Sequence, residues 1–240
     1  MSNRRYGQYC GLARAAEMVG ERWAMLIVRD LLVGPRRFSD LHRGLPGIPT
    51  NILSARLKEL EQADIVRRRL LPRPAGSVVY ELTGYGHDLE PAMLALGRWG
   101  AKSLGDVRPG ETVTPDSLVV ALRATFRPEA ARGLDVGYEL HVGPIVLGAR
   151  IHGGNLEVAE GPLPDADLVI EAGLAIKGLL SGELSVAEAV ESGAVALAGD
   201  VALLERFVDL FQIAPKPGVP DPRLRGRPEA SPTPPGSGGN

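Results

Sequence analysis

The apolar positions of the first hundred residues recur at the spacing of α-helices. Leu53, Leu57 and Leu60 share one side of a segment that follows Pro49, so this segment is predicted to bury that side in a core. Glycine and proline bound several of the segments because both residues tend to stop a helix. The predicted helices are residues 12–19, 22–33, a short helix from Phe38 to a break at 44–49, 50–61 and 84–104.

Two segments after the fourth of these helices alternate as strands do. Residues 65–70 and 78–82 are joined by a turn rich in proline and glycine, which predicts a β-hairpin. Alternation sends Arg67 and Arg69 to one face of this hairpin and Arg68 to the other. A short helix, a turn, a second helix and a basic hairpin together make a winged helix-turn-helix. Double-stranded DNA requires such an arrangement of a small domain.

The second half alternates between strand and helix patterns. Ser185 is followed three residues later by Glu188, which is the spacing of a helix-capping box. The pattern predicts a helix over 117–125, strands over 135–142, 144–152, 155–159 and 166–172, and helices over 173–181, 185–192 and 201–211. The chain is therefore predicted to be α+β, with a first domain over 1–105, a linker over 106–116, a second domain over 117–213 and a disordered proline-rich tail over 214–240.

Charge is divided unequally along the chain. The net charge of −2 combines a balance of +6 in residues 1–105 with a balance of −8 in residues 106–240. Such an asymmetry is typical of a polyanion-binding module joined to another domain. The single cysteine excludes an internal disulfide, and no apolar run is long enough to span a membrane. We therefore expect a soluble, cytoplasmic protein.

Both halves resemble known families. Residues 9–104 resemble HxlR-type winged helix-turn-helix transcription regulators, through Gly-Glu-Arg-Trp at 20–23, Gly-Pro-Arg-Arg-Phe-Ser-Asp-Leu at 34–41 and Gly-Ile-Pro-Thr-Asn at 47–51. Residues 117–213 are similar to the sterol-carrier-protein (SCP-2-like) α/β sandwich, through Asp167-Leu-Val-Ile and Ala198-Gly-Asp-Val-Ala. The first resemblance implies a homodimer that binds palindromic DNA. The second implies a domain that encloses an apolar tunnel.

Small polar residues near the start of a recognition helix can reach base edges, and asparagine pairs well with adenine. Arginine and serine nearby can contact phosphate. The alternative interpretation of the polar positions is a solvated helix face. The predicted DNA-binding residues are Arg36, Arg37, Ser39, Thr50, Asn51, Ser54, Arg56, Lys58, Arg73 and Ser77.

A long apolar stripe on the helix predicted over 84–104 exceeds what a small domain needs to bury. We interpret part of that stripe, formed by Leu89, Met93, Leu96 and Trp99, as a dimer contact with the first helix. Cys10 has two interpretations. It is either a redox switch, as at this position in some HxlR-type regulators, or a small packed residue.

The four histidines are scattered without metal spacing, and no nucleophile or phosphate-loop motif is present, so we predict no enzyme, no cofactor and no metal. The predicted function is a transcription regulator, a repressor, whose C-terminal domain senses an apolar small molecule or lipid. The alternative is a ligand-free oligomerisation or protein-contact module, with redox sensing through Cys10. Candidate pocket residues are Leu118, Leu122, Leu140, Ile145, Leu147, Ile170, Ile176 and Leu180.

Overall fold

The N-terminal half of the chain folds around three mutually packed helices and a β-hairpin. The computed structural model describes residues 5–72, 76–219 and 221–222. The elements of this half are α1 (Gly11–Val19), α2 (Ala24–Val33), α3 (Phe38–Gly44), α4 (Thr50–Gln62), β1 (Val66–Leu70), β2 (Val78–Leu82), α5 (Gly84–His87) and α6 (Glu90–Ala101).

The core of this half lies between α2, α3, α4 and the hairpin. Leu53, Leu57 and Leu60 of α4 are fully buried, as their spacing predicted. They pack with the apolar side chains of α2 and with Tyr80 and Leu82 of β2. β1 and β2 pair antiparallel over five residues each, and Arg36 adds a short bridge to Tyr80 on the free side of β2. α4, the second helix of the helix-turn-helix, is thus packed against α2 and the hairpin.

The helix predicted over residues 84–104 is two helices in the structure. α5 ends at His87, and α6 begins at Glu90 with Pro91 in its first turn. Proline has no backbone N–H and its ring clashes with the carbonyl four residues earlier, so the chain cannot continue as one helix through Pro91. The prediction of a single helix was therefore wrong at this point.

The C-terminal half contains a five-stranded mixed sheet. Its elements are α7 (Pro115–Thr125), β3 (Asp135–Val142), β4 (Ile145–His152), β5 (Asn155–Glu160), β6 (Leu168–Glu171), α8 (Ala175–Ser181), α9 (Val186–Glu191), β7 (Ala196–Gly199) and α10 (Val201–Leu210), with a 3-10 turn at Pro128–Ala130. The strand order is β5-β4-β3-β6-β7. Only β3 and β6 run parallel; every other neighbouring pair is antiparallel.

One face of this sheet carries the C-terminal core. Alternate residues of β3, including Tyr138 and Leu140, are buried against α7, α8 and α10. Tyr138 meets the ring of Phe207 edge to face at a centroid distance of 5.1 Å, and Phe207 packs at 4.6 Å against the tilted ring of Phe211. Helices cover one face of the sheet and leave Glu139 and His141 on the other, which makes a two-layer α/β sandwich.

Local signals in this half agree with the structure at several helix ends. Ser185 and Glu188 form the predicted capping box, with Oγ and Oε2 accepting from the backbone N–H of the other residue at 3.2 and 3.0 Å. Asp200 caps α10 through the N–H of Ala202 at 2.9 Å. α7 begins at Pro115, two residues before its predicted start. One expectation was wrong: residues 196–199 form strand β7, which the pattern did not predict.

The two halves share a contact surface. Val33 of α2 and Ala101 of α6 pack against the C-terminal core. α7 is the element of the C-terminal half that lies against both of these helices. Among the residues that the structure describes, no helix combines the length and apolar character needed to cross a bilayer. The predicted disordered tail falls largely on residues 220 and 223–240, which lie outside the described ranges.

Candidate nucleic-acid interface

The outer face of α4 presents the polar residues that the sequence predicted there. Thr50, Asn51, Ser54 and Lys58 are all exposed, because the leucines on the opposite side anchor the helix to the core. Pro49 precedes the first turn in extended conformation and its carbonyl receives the N–H groups of the residues at 52 and 53. The start of α4 is therefore fixed while its side chains remain available.

Arg56 does not share that face. Its side chain is only 16% exposed, and the guanidinium bonds Glu59 on the same helix and Glu21 before α2. Its Nε is buried without a hydrogen-bond partner among the described residues. The prediction that Arg56 reaches phosphate is not supported by this conformation. Its position on α4, three residues after Leu53 and one before Leu57, turns it towards α1 and α2.

The hairpin has two charged faces, as the alternation predicted. Arg67 and Arg69 both bond Glu81, at 2.9 and 2.7 Å, whereas Arg68 bonds Glu61 at 2.9 Å and stacks over the Tyr80 ring at 5.4 Å. The hydrogen bond from Arg69, with that from Arg67, lowers the pKa of Glu81 below its ordinary value. All three arginines keep about half of their side chains exposed, so the hairpin surface remains basic.

The predicted contacts at the hairpin tip are only partly described. Arg73 lies outside the described residues. Ser77 is half-buried, and its hydroxyl has no hydrogen-bond partner within the described part of the chain. Arg37 and Ser39 are exposed at the start of α3, the first helix of the helix-turn-helix.

Arg36 differs from its neighbour Arg37. Its guanidinium donates two hydrogen bonds to Asp116 of α7, from Nε to Oδ2 at 3.0 Å and from Nη2 to Oδ1 at 2.5 Å. These bonds raise the pKa of Arg36 above its ordinary value. A two-bond arginine–carboxylate pair is among the stronger polar contacts in proteins. Arg36 is therefore held by the C-terminal half in this structure, although the sequence predicted it at the DNA.

A buried carboxylate lies behind that contact. Asp30 of α2 is fully buried, with Oδ1 accepting from Arg29 at 2.8 Å and Oδ2 without a partner among the described residues. Burial raises the pKa of Asp30 to about 6, and nearby Asp116 acts in the same direction. Neither Asp30 nor Asp116 was predicted as a site residue, because their burial and their partners arise from tertiary contacts. A second hydrogen bond between the two halves was also not predicted. Arg123 of α7 donates to the carbonyl of Leu32 at 3.0 Å.

The chain matches known proteins over this half. The HxlR-like helix-turn-helix family model matches residues 18–107. The HTH-type transcriptional regulator YodB of Bacillus subtilis (strain 168) is 37% identical over 99 residues, which are 41% of this chain and 86% of YodB. The chain belongs to the HxlR-like helix-turn-helix family. It is therefore a DNA-binding transcription regulator, and the relatives that it matches are regulators of this kind rather than enzymes.

Two further proteins match about the same part of this HxlR-like regulator. The uncharacterized HTH-type transcriptional regulator Rv3095 of Mycobacterium tuberculosis (strain ATCC 25618 / H37Rv) is 40% identical over 104 residues, 43% of this chain and 64% of that protein. The solved reduced form of YodB is 35% identical and covers 41% of this chain and all of that chain, with a TM-score of 0.37. Each of these matches leaves more than half of this chain uncovered.

Exposed apolar side chains concentrate around α1 and α6. Leu96 and Trp99 of α6 are 49% and 72% exposed, and Tyr9 and Leu12 beside α1 are also exposed. The other two residues of the predicted stripe, Leu89 and Met93, pack against the N-terminal core instead. The stripe thus divides into a buried part and a surface part. α1 buries none of its residues, although it contacts α4.

Cys10 stands immediately before α1 and is exposed. The backbone N–H groups of Ala13 and Leu12, at the start of that helix, lower the pKa of its thiol below the ordinary value. This geometry differs from that of a packed structural cysteine.

The residues proposed to line an apolar pocket lie in the C-terminal core. Leu122, Leu140, Leu147, Ile170, Ile176 and Leu180 are buried there, and Leu118 and Ile145 are half-buried against it. A cavity of about 570 Å³ lies outside that core, between α6, α7 and β5, and another of about 330 Å³ lies between α4 and the start of α2. Within the described ranges, His, Cys, Asp and Glu side chains form no group of three or more that could hold a metal.

Proposed function

We propose that this regulator binds operator DNA with α4 in the major groove. The observation that carries this proposal is the division of α4 into two faces. Leu53, Leu57 and Leu60 fix one face to the core, and Asn51, Ser54 and Lys58 stand exposed on the other. Side chains near the start of a recognition helix can reach base edges, and a lysine further along can reach phosphate.

The surrounding basic residues favour the same docking. Arg37 at the start of α3 and the half-exposed arginines of the hairpin flank α4 in the fold. Phosphate contacts of this kind fix the orientation of a protein on DNA without reading its sequence. Arg73 at the hairpin tip remains part of the proposed interface. Repression is the simplest outcome of covering an operator, and we propose that activity.

The exposed apolar surface around α1 and α6 supports a homodimer. Trp99, Leu96 and Leu12 would each lose water-exposed area if this surface met its two-fold copy. Two recognition helices in such a dimer would contact half-sites about one helical turn apart, roughly 34–36 Å. The proposed operator is therefore palindromic.

We propose that residues 117–213 form an SCP-2-like domain that senses an apolar small molecule or lipid. Its two-layer sandwich and its packing on α2 and α6 support this role, because a change in the domain would reach the DNA-binding half directly. The candidate lining residues are packed together, so an interior ligand would have to open the core. A ligand-free protein-contact module is the alternative that this packing favours.

A second candidate function is redox sensing through Cys10. The exposed thiol, with a pKa lowered by the helix start, has the features of a reactive cysteine. It also lies beside the proposed dimer surface, so its oxidation would alter the assembly that binds DNA. Mild peroxide treatment tests this candidate. Mass spectrometry should show oxidation of Cys10, and DNA binding should be lost in parallel. Cys10→Ser is the control and should keep its DNA binding.

Fluorescence anisotropy with labelled duplex DNA tests the DNA-binding proposal. Lys58→Ala should weaken binding at every sequence and reduce the slope of log affinity against log salt by about 0.9, since one phosphate contact is lost. Lys216→Ala removes the same charge from an exposed position of the C-terminal half and should leave the slope unchanged. Equal slopes for wild type and Lys58→Ala would remove α4 from the interface.

A further inference from the structure

A groove of about 570 Å³ opens at the junction of the two halves, between α6, α7 and β5. Leu94, Phe126, Pro128 and Leu156 supply apolar side chains to its walls. Glu90, Arg123, Asn155 and Glu157 supply the polar side chains, so the lining is divided between apolar and polar parts. The volume falls within the roughly 300–1,000 Å³ of small-molecule sites. The groove opens at the edge of the C-terminal core, whose residues Phe126 and Val158 form part of its wall, and not in the interior predicted from the sequence.

Arg123 of α7 is the cation of this groove. Its Nη1 donates to the Leu32 carbonyl at 3.0 Å, and the same nitrogen stands 3.6 Å from Oε1 of Glu90, beyond hydrogen-bond distance. Within the described part of the chain, neither Nη2 nor Nε of Arg123 has a hydrogen-bond partner. A quarter of the side chain is exposed. The planar guanidinium is therefore oriented by a backbone carbonyl and retains donors that match a carboxylate.

We propose that the groove binds a small amphipathic carboxylate, such as a medium-chain fatty acid. Its carboxylate pairs with the unused donors of Arg123, and its apolar chain lies along Leu94, Phe126 and Leu156. The apolar part of the lining favours such a ligand over small inorganic anions, which have no apolar chain to bury there. The oriented guanidinium selects against neutral lipids, which offer Arg123 no charge.

Two carboxylates at the groove bear on this selectivity. Glu90 is the group with which a ligand carboxylate competes for Arg123, and its side chain is 39% exposed and able to turn to solvent. Glu157 is a second carboxylate of the lining and opposes an anion there. The attraction of a ligand carboxylate therefore depends on close contact with Arg123.

The site would connect a ligand to the DNA-binding half. Arg123 belongs to α7, whereas Glu90 and Leu32 belong to α6 and α2, so a ligand that displaces Glu90 changes the contact between the halves. That regulatory consequence rests on the proposed function. The binding itself does not, because it is measured without DNA. A chain that fails to bind DNA would still show the binding result.

Isothermal titration calorimetry of the full chain with decanoate, below its micelle concentration, tests the site. We expect one site per chain. Arg123→Gln should bind at least about tenfold more weakly, because the charge-assisted hydrogen bond is lost, and Glu90→Gln should bind more tightly, because the competing carboxylate is removed. Arg127→Gln is the matched control, because Arg127 also bonds a glutamate and a backbone carbonyl but does not line the groove. It should bind decanoate as wild type does.

Two further comparisons make the test independent of any folding defect in Arg123→Gln. Leu156→Trp fills the groove while leaving Arg123 in place, and it should also abolish decanoate binding. Decanol and decyltrimethylammonium have the same chain with no charge or the opposite charge, and both should bind at least about tenfold more weakly than decanoate. Equal binding of decanol and decanoate, or unchanged binding by both Arg123→Gln and Leu156→Trp, would overturn the proposal.

Discussion

At the residue scale, the partners of each arginine decide which of them can meet DNA. Arg37 is exposed, whereas Arg56 and Arg36 are held by carboxylates. Besides Glu59, a local partner of Arg56, these carboxylates are Glu21 and Asp116, which stand 35 and 80 residues away from their partners. A local sequence pattern contains no information on pairs of such separation. The sequence therefore predicted the polar face of α4 correctly but could not separate these arginines from the exposed one.

Asn51→Ala tests base recognition at α4. The amide of an asparagine can form two hydrogen bonds to adenine, and its loss should cost about 1–3 kcal/mol for the operator only. Affinity for random DNA should not change. The ratio of the two affinities, measured by anisotropy, should therefore fall for Asn51→Ala and stay constant for Lys58→Ala. An unchanged ratio for Asn51→Ala would show that another residue reads the bases.

Asp30 should make stability depend on pH. Its pKa is about 6 in the folded chain, above the ordinary 3.8, so the folded state binds more protons between these two values. Stability should therefore fall by roughly 3 kcal/mol as pH rises through this window, since each pKa unit corresponds to about 1.4 kcal/mol. Asp30→Asn should remove this decrease and raise the melting temperature at pH 7.

The control for this measurement is Asp106→Asn, which changes the same kind of group at an exposed position. Thermal melts of the three proteins at pH 4, 5, 6 and 7 separate the outcomes. If Asp30→Asn shows the same pH dependence as wild type and Asp106→Asn, then Asp30 is charged without penalty in the folded chain. The unpartnered Oδ2 would then have a partner in solution.

At the scale of elements, helices bounded by glycine, proline or a capping residue were predicted well. α7, α9 and α10 begin at or within two residues of their predicted starts, and Thr114, Ser185 and Asp200 cap them. β7 was missed because Ala196–Gly199 holds small residues without the β-branched or aromatic side chains that mark strands. The neighbouring strand β6 holds it through four paired residues, which is a tertiary effect.

The surface part of the α6 stripe gives a prediction about assembly. Trp99→Arg places a charge on the proposed dimer surface and should convert a dimer into a monomer in analytical ultracentrifugation at micromolar concentration. Operator affinity should fall with it, because one half-site contact is lost. Leu174→Arg introduces the same charge at another exposed apolar position, in the C-terminal half, and should leave the dimer intact. A wild-type monomer with intact operator binding would contradict the proposed dimer.

At the scale of the whole molecule, α7 is the element through which the halves meet. Asp116 holds Arg36 and Arg123 holds the end of α2, so the acidic half is fixed against the basic one. Close to DNA, the charge of −8 in residues 106–240 would oppose binding. We therefore propose that the arrangement of the halves affects operator affinity. Couplings of this kind are typically about 1–3 kcal/mol, or roughly 5- to 150-fold.

Asp116→Asn tests this coupling. It breaks the two-bond pair with Arg36, which frees a cation beside the helix-turn-helix, so affinity for DNA at low salt should rise and the salt slope should steepen by about 0.9. Asp135→Asn removes the same charge from an exposed position of the C-terminal half without touching Arg36. If both variants behave alike, only net charge matters, and Arg36 serves as a tie between the halves rather than as a DNA contact.

Selection of DNA from a random pool with the full chain tests whether its helix-turn-helix reads a specific sequence. Affinities for the selected site and for a scrambled site are then compared across several salt concentrations. We expect a palindromic site bound at least about 10³-fold more tightly than the scrambled one, with a salt slope that corresponds to several phosphate contacts. Recovery of no common site, with equal affinity for both duplexes, would contradict this expectation.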